Sequence, residues 1–177
     1  MVTSFPPIIS PTSTVLILGS VPGEMSLRMQ QYYAHPRNHF WPIIEELTGV
    51  PAQAPYPERV ERLAETGIAL WDSLKYCVRP GSLDASIIAG TEEPNEIPAL
   101  LMAQPTIRAV YFNGKKSEQV FRKHVLPAIP ADVLYRLDLI GLPSTSPANA
   151  SFTYEQKLAR WRVILDYLPD PTNVNRE

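Results

Sequence analysis

The residues best suited to chemistry lie in the stretch 19–41, which reads GSVPGEMSLRMQQYYAHPRNHFW. Its two histidines, His35 and His39, are four positions apart, the spacing at which two histidines on one helix face can bind zinc. Pro36 lies between them and disfavours helix at His35, and no third ligand lies nearby in the sequence. We therefore expect no metal site here.

Two other arrangements use the same stretch. Ser20, His35 and Asp72 could form a hydrolase triad, but the G-x-S-x-G turn that exposes such a serine is absent. Asn38 offers an amide that does not titrate usefully, although its carbonyl oxygen can accept a hydrogen bond and orient a water molecule. From the residues alone, the favoured interpretation is that Asn38 caps the helix that follows it.

Composition limits what kind of protein carries these residues. The chain has 177 residues, of which 45% are hydrophobic, enough for one buried core, so we predict a single domain with extended or frayed ends at about 1–12 and 169–177. The net charge of -2 disfavours binding long nucleic acid tracts but leaves room for a short local contact. Cys77 is the only cysteine, which excludes an internal disulfide, and we expect it to be half-buried.

Hydrophobic patterning predicts the elements that position these residues. Continuous apolar runs predict four strands, at 15–18, 68–71, 109–112 and 136–142. Helical spacing predicts helices at 38–47, 57–66, 97–102 and 115–125, and a last helix that is capped by Thr153 and extends to 168. The segment 23–36 is predicted to be a long loop. Strands alternating with helices indicate an α/β fold, a three-layer α/β/α sandwich around a four-stranded parallel sheet.

In such sheets ligands bind beyond the carboxyl ends of the strands. The loops that follow the four predicted strands are also the ones richest in polar residues, glycine and proline. We therefore expect the site to be built from the loops 19–38, 72–86, 113–117 and 143–150.

The motifs in these loops resemble those of a known family. They read GSVPGEMS with YYAHPRNHFW, GIALWDSLKYCVRPGSLDAS, VYFNGKKS and LPSTSPANA. In this order, at four consecutive strand ends, they resemble the motifs of the uracil-DNA glycosylase superfamily. The resemblance covers nearly the whole chain and is closest in the hypoxanthine (deoxyinosine) DNA glycosylase branch.

The resemblance implies a catalytic role for Asn38. Mismatch-specific members carry a water-positioning asparagine where this chain has Val21, whereas in the hypoxanthine branch the catalytic asparagine lies in the HPRN element, which corresponds to Asn38. The resemblance also implies that Ser20, Val21, Tyr33 and Asp72 bind the base, with Tyr33 stacking on it. As a carboxylate, Asp72 would accept the N1–H of hypoxanthine and disfavour adenine, whose N1 is an acceptor.

Further residues are expected to contact DNA. Hydroxyls and amides would bind phosphates, and a proline and an alanine would wedge into the gap left by the flipped base. These residues are His35, Lys115, Ser144, Thr145, Ser146, Pro147, Ala148 and Asn149.

The sequence thus predicts a monofunctional enzyme that flips a deaminated base, hypoxanthine, and hydrolyses its N-glycosidic bond to leave an abasic site. We expect no metal or organic cofactor, damaged DNA as the partner, a monomer, and a cytoplasmic protein that does not enter the membrane. The alternatives are a uracil/thymine mismatch-specific glycosylase and a catalytically silent module that binds DNA or nucleotides.

Overall fold

The structure is a computed structural model that describes residues 1–169, so the predicted frayed end lies, from residue 170 on, outside the described residues. The strands are β1 (Val2–Thr3), β2 (Val15–Gly19), β3 (Ile68–Asp72), β4 (Leu74–Cys77), β5 (Glu93–Pro94), β6 (Ala109–Asn113) and β7 (Asp138–Leu142). The α-helices are α1 (Glu24–Met29), α2 (Phe40–Thr48), α3 (Tyr56–Glu65), α4 (Ile97–Ala103), α5 (Lys115–Val120), α6 (Ala131–Tyr135) and α7 (Tyr154–Trp161). Short segments of 3₁₀ or π helix lie at Asp84–Ser86, Phe121–Val125, Leu126–Ala128 and Arg162–Tyr167.

The predicted parallel sheet is confirmed, with the strand order β3-β2-β6-β7. Three of its strands continue one residue beyond the predicted apolar runs, because Gly19, Asp72 and Asn113 still pair with a neighbouring strand. The fourth strand begins at 138 rather than 136. These strand ends place polar groups at one edge of the sheet.

Helices cover both faces of this sheet, because alternate side chains of each strand point to opposite sides. On one face, Val15 and Ile17 pack against residues of α2, α3 and α7, among them Phe40, Ile44, Leu63 and Trp161. On the other, Leu16 and Leu18 pack against residues that include Ile97, Leu101, Phe121 and Val133. The three-layer sandwich is therefore confirmed. No helix within residues 1–169 is long and apolar enough to cross a bilayer.

A second, antiparallel sheet corrects the prediction that 72–86 is only a loop. Its order is β1-β4-β5, and Val2 pairs with Cys77. The small strands show no periodicity of their own, since they depend on pairing between distant parts of the chain. Cys77, predicted to be half-buried, is fully buried because it packs with Val2, Val21 and Leu74.

The predicted loop 23–36 is also wrong in part, because α1 occupies 24–29. Six residues are too few for a clear helical pattern, so no periodicity indicated this helix. Glu24 lies in the first turn, where its negative charge interacts favourably with the helix dipole. Its backbone N–H donates to Ser82 Oγ at 2.9 Å. The helix ends at Gln30, whose backbone is left-handed with φ 54°.

The ends of two other helices differ from the prediction. The predicted helix at 115–125 is α-helical only to Val120 and continues as a π turn. The last helix has the predicted cap, since Thr153 accepts the N–H of Gln156 in a capping box, but its α-helical part ends at Trp161.

Replacing Ile17 tests the packing that carries the site. Because Ile17 is fully buried in the central strand, we expect Ile17→Ala to lower the free energy of unfolding by about 2–5 kcal/mol. Ile88 is 48% exposed, so Ile88→Ala should change it by less than about 0.5 kcal/mol. Urea denaturation followed by circular dichroism measures both, and equal effects would contradict this description of the core.

Candidate active site

A cavity of about 620 Å³ lies at the carboxyl ends of β2, β3 and β6, the edge predicted to bind a ligand. Among the predicted site residues, those that line it are Ser20, Val21, Tyr33, His35, Asn38, Asp72, Ser144, Thr145, Ser146, Pro147 and Ala148. Lys115 and Asn149 do not line it: Lys115 is exposed, and Asn149 Nδ2 donates to the backbone oxygen of Ser144 at 3.1 Å.

Asp72 ends β3 and is the most deeply placed carboxyl group of the cavity, with 4% of its surface exposed. Burial raises the pKa of Asp72 to about 7, a hydrogen bond from Ser4 Oγ to Asp72 Oδ2 at 3.1 Å lowers it, and the charge of Asp84 raises it. The side-chain amide of Asn95 donates to the backbone oxygen of Asp72 at 2.8 Å. Asp72 is thus held in place by one hydrogen bond to its side chain and one to its backbone.

Only glycine fits opposite this carboxyl group. Gly19 pairs with Asp72 across the sheet, and a Cβ atom on residue 19 would lie 2.5 Å from Asp72 Oδ1 and 2.9 Å from the hydroxyl oxygen of Tyr33. Real Cβ atoms do not approach other atoms so closely. The absent side chain therefore allows the carboxyl group and the hydroxyl group each to lie close to the backbone of Gly19.

Tyr33 is held in a strained conformation. Its backbone is left-handed, with φ 54°, which is uncommon for a bulky residue and costs about 1–3 kcal/mol. Its ring stacks on Phe40, with centroids 4.1 Å apart and an angle of 23° between the planes. Its hydroxyl oxygen is buried and has no hydrogen-bond partner among residues 1–169. Backbone strain of this kind clusters at active sites and ligand-binding sites, and a buried polar atom without a partner is uncommon elsewhere.

The predicted capping role of Asn38 is off by one residue, because the N-cap of α2 is His39, which makes no side-chain capping bond, and Asn38 lies just before it. Asn38 Oδ1 accepts the N–H of Phe40 at 2.9 Å, at the start of α2. A carbonyl oxygen has two lone pairs, so this bond occupies one acceptor position and fixes the direction of the amide. The hydrogen bond with Phe40 and the binding of a water molecule are therefore compatible roles for Asn38.

The alternative arrangements of the same residues are not assembled. Ser20 Oγ donates to Asp84 Oδ1 at 2.7 Å, and His35 Nδ1 accepts the N–H of Arg37 at 3.1 Å, so no hydrogen bonds link Ser20, His35 and Asp72 into a triad. Within residues 1–169 no three His, Cys, Asp or Glu side chains group as metal ligands.

Asn113, at the end of β6, links the last motif to the sheet. It accepts the backbone N–H of Thr145 and donates to Thr145 Oγ1, both at 2.9 Å, and all of these groups are buried. Lys157, with 1% of its surface exposed, donates to the backbone oxygen of Ser146 at 3.2 Å, and burial lowers its pKa. His39 N–H donates to the backbone oxygen of Thr145 at 3.0 Å. The loop 144–148 is thus fixed from three sides.

Sequence reasoning missed several of these residues. Asn113 lies in the segment 113–117, which was predicted to be part of the site, and its position at the end of a strand could have identified it. Asp84 lines the cavity from the loop 72–86, but only its bond with Ser20 reveals a role. Lys157 gave no signal, since a lysine on a helix is ordinarily exposed.

Comparison with known proteins decides the family, since the model for the uracil DNA glycosylase superfamily matches residues 6–167. The chain belongs to the uracil DNA glycosylase superfamily. A hypoxanthine DNA glycosylase of Methanosarcina barkeri is 42% identical over 114 residues, covering 64% of this chain and 71% of that protein. A hypoxanthine DNA glycosylase of Methanosarcina acetivorans is 32% identical over 161 residues, covering 90% and 95%.

Solved structures agree with this membership of the uracil DNA glycosylase superfamily. A solution NMR structure of a Methanosarcina acetivorans protein, named as a candidate uracil DNA glycosylase, matches with a TM-score of 0.72 and 31% identity. The match covers 92% of this chain and 98% of that one. The resemblance in the motifs is therefore confirmed.

The pH dependence of stability tests the burial of Asp72. Its pKa is about 7 in the folded protein against an ordinary 3.8, so the folded protein holds this proton between those values while the unfolded chain releases it. The free energy of unfolding should therefore fall as pH rises through this window and stay lower above it. Asp72→Asn should remove this loss and raise the free energy of unfolding by on the order of 2–4 kcal/mol at pH 8, with little gain at pH 4.

Urea denaturation at a series of pH values between 4 and 8 measures this effect. Asp132→Asn, at an exposed position, is the control for removing one carboxylate from the chain. A gain from Asp72→Asn that is the same at both ends of the range would contradict the assignment.

Proposed function

We propose that this protein is a DNA glycosylase that hydrolyses the N-glycosidic bond of a deaminated base, hypoxanthine, and leaves an abasic site. One observation supports this most directly: the fixed amide of Asn38, the strained ring of Tyr33 and the buried carboxyl group of Asp72 line one cavity. The two relatives named hypoxanthine DNA glycosylase support the same substrate. The proposal includes action as a monomer on damaged DNA.

Breaking this bond develops positive charge on the sugar and negative charge on the departing base. In our proposal, the second lone pair of Asn38 Oδ1 accepts a hydrogen bond from water and directs its oxygen toward the sugar. The bond from the N–H of Phe40 prevents the amide from rotating, so the water is positioned before the reaction begins. Val21 contributes an apolar wall, because it is 7% exposed and packs with Val2 and Leu74.

The base would stack on Tyr33, whose other ring face is supported by Phe40. The ionised carboxylate of Asp72 would then accept the N1–H of hypoxanthine, whereas it repels the N1 acceptor of adenine. A protonated Asp72 would instead donate to adenine. Since the pKa of Asp72 is about 7, we expect discrimination against adenine to be strongest above neutral pH.

The loop 144–148 would hold the DNA backbone. Thr145 is fully buried and bonded to Asn113, so in our proposal it anchors the loop. The hydroxyl groups of Ser144 and Ser146 accept backbone N–H groups, which leaves their own protons for phosphate oxygens. In our proposal, His35 and Asn149 contact DNA beside this loop, and Lys115 contacts a phosphate farther from the cavity. Pro147 and Ala148 lie next to the flipped base.

Asn38→Ala should lower the rate of hypoxanthine release from a deoxyinosine-containing oligonucleotide by roughly a hundredfold or more, since a preorganised polar contact is lost. The same change removes the hydrogen bond from the N–H of Phe40, so the free energy of unfolding should also fall by about 1 kcal/mol. Single-turnover kinetics and urea denaturation measure the two effects.

Asn38→Ser separates the two roles of the amide, because a serine hydroxyl can also accept the backbone N–H two residues on but offers no amide. We expect it to be as inactive as Asn38→Ala while keeping stability close to that of the natural protein. Near-normal activity of Asn38→Ser would show that the amide is not catalytic.

Asp72→Asn should weaken the preference for hypoxanthine over adenine, because an amide both donates and accepts hydrogen bonds. The ratio of kcat/KM for duplexes with deoxyinosine and deoxyadenosine at pH 8 measures this preference. A duplex with deoxyuridine, assayed beside them, shows whether the protein releases hypoxanthine or uracil. An unchanged ratio would contradict base reading by Asp72, and a natural protein that released uracil but no hypoxanthine would contradict the proposed substrate.

A further inference from the structure

Leu83 is a large apolar side chain that the fold leaves exposed at the cavity. It lines the cavity and is 56% exposed. Burying an apolar side chain stabilises a folded protein, and for Leu83 much of that gain is not realised. A single exposed leucine is ordinary on a protein surface, so its position and the rigidity of its loop decide the interpretation.

The backbone on both sides of Leu83 is tied to other walls of the cavity. Ser82 Oγ accepts the N–H of Glu24 at 2.9 Å, which joins the loop to α1. Asp84 Oδ1 accepts the hydroxyl proton of Ser20 at 2.7 Å, which joins it to the end of β2. The backbone oxygen of Leu83 accepts the N–H of Ser86 at 2.9 Å. The side chain of Leu83 is therefore presented by a loop that is anchored before it, at it and after it.

A buried arginine supports the same loop from beneath. Arg79 is 5% exposed, and its guanidinium donates to the backbone oxygens of Gly81 at 2.8 Å and Pro22 at 2.6 Å. Burying a charged group is costly unless its hydrogen bonds are made. Two such bonds to the main chain hold the 81–84 loop against the turn after β2. The loop is thus preorganised, and Leu83 does not fold back onto the core.

We propose that Leu83 inserts into the base stack of duplex DNA beside the flipped nucleotide. This proposal rests on the proposed function, since it requires a base that leaves the stack. Apolar side chains wedged between base steps fill the opened space and offset the cost of unstacking. Ala148 and the half-buried Pro147 line the cavity as well, but a methyl group and a partly covered ring fill less of that space than a free leucine side chain.

Leu83→Ala tests the proposal when two substrates are compared. On a duplex with deoxyinosine opposite cytosine, kcat/KM for hypoxanthine release should fall by roughly tenfold. On the same sequence as a single strand, which has no paired stack to open, the loss should be clearly smaller. Ile88→Ala is the matched control, because Ile88 is a similarly exposed aliphatic residue outside the cavity lining. Equal losses on both substrates, or no loss on either, would overturn the proposal.

A second measurement does not depend on cleavage. With 2-aminopurine placed next to the deoxyinosine in the duplex, binding of the natural protein should raise the fluorescence, because insertion unstacks that base, and Leu83→Ala should abolish the rise. A natural protein that releases hypoxanthine without this rise, or a rise that Leu83→Ala retains, would overturn insertion by Leu83. A rise that depends on Leu83 without any base release would support insertion and contradict the proposed function.

Discussion

Gly19, the carboxyl group of Asp72 and the hydroxyl group of Tyr33 lie close together at the end of β2, and this constrains the rest of the site. Gly19 has no side chain, and the space this leaves holds the carboxyl oxygen of Asp72 and the hydroxyl oxygen of Tyr33. The parallel pairing of β2 with β3 sets the position of Asp72 along the sheet, since it places Asp72 directly beside Gly19. The strained backbone of Tyr33 then brings its ring onto Phe40 and so onto α2. The position of Tyr33 and Asp72 beside Gly19 therefore depends both on the register of the sheet and on the packing of α2.

The other walls are fixed by side chains that bind main-chain groups of distant segments. Asn113 holds Thr145, and Arg79 holds the turn at Pro22. Such bonds are made between buried groups, where an unpaired partner is costly, so each one defines a single position for its loop. The cavity is consequently shaped by folding itself.

The sequence was sufficient for the central sheet and its two helical layers because apolar runs and helical spacing are local signals. It also located the cavity, since strand ends follow from topology. It was insufficient where structure depends on distant partners: β1 and β4 pair across 75 positions at Val2 and Cys77, and α1 is only six residues long. The links made by Asn113 and Lys157 likewise depend on partners that spacing cannot reveal.

The hydrogen bond from Ser4 to Asp72 connects the interior of the site with the edge of the molecule. Ser4 follows the two-residue strand β1, and its hydroxyl group, with a single proton, lies within reach of both Asp72 Oδ2 and the backbone oxygen of Phe5. Local opening of so short a strand removes the donor from the carboxylate. Because this bond lowers the pKa of Asp72, the charge state of the buried carboxyl group depends on the pairing that holds Ser4 at the peripheral sheet.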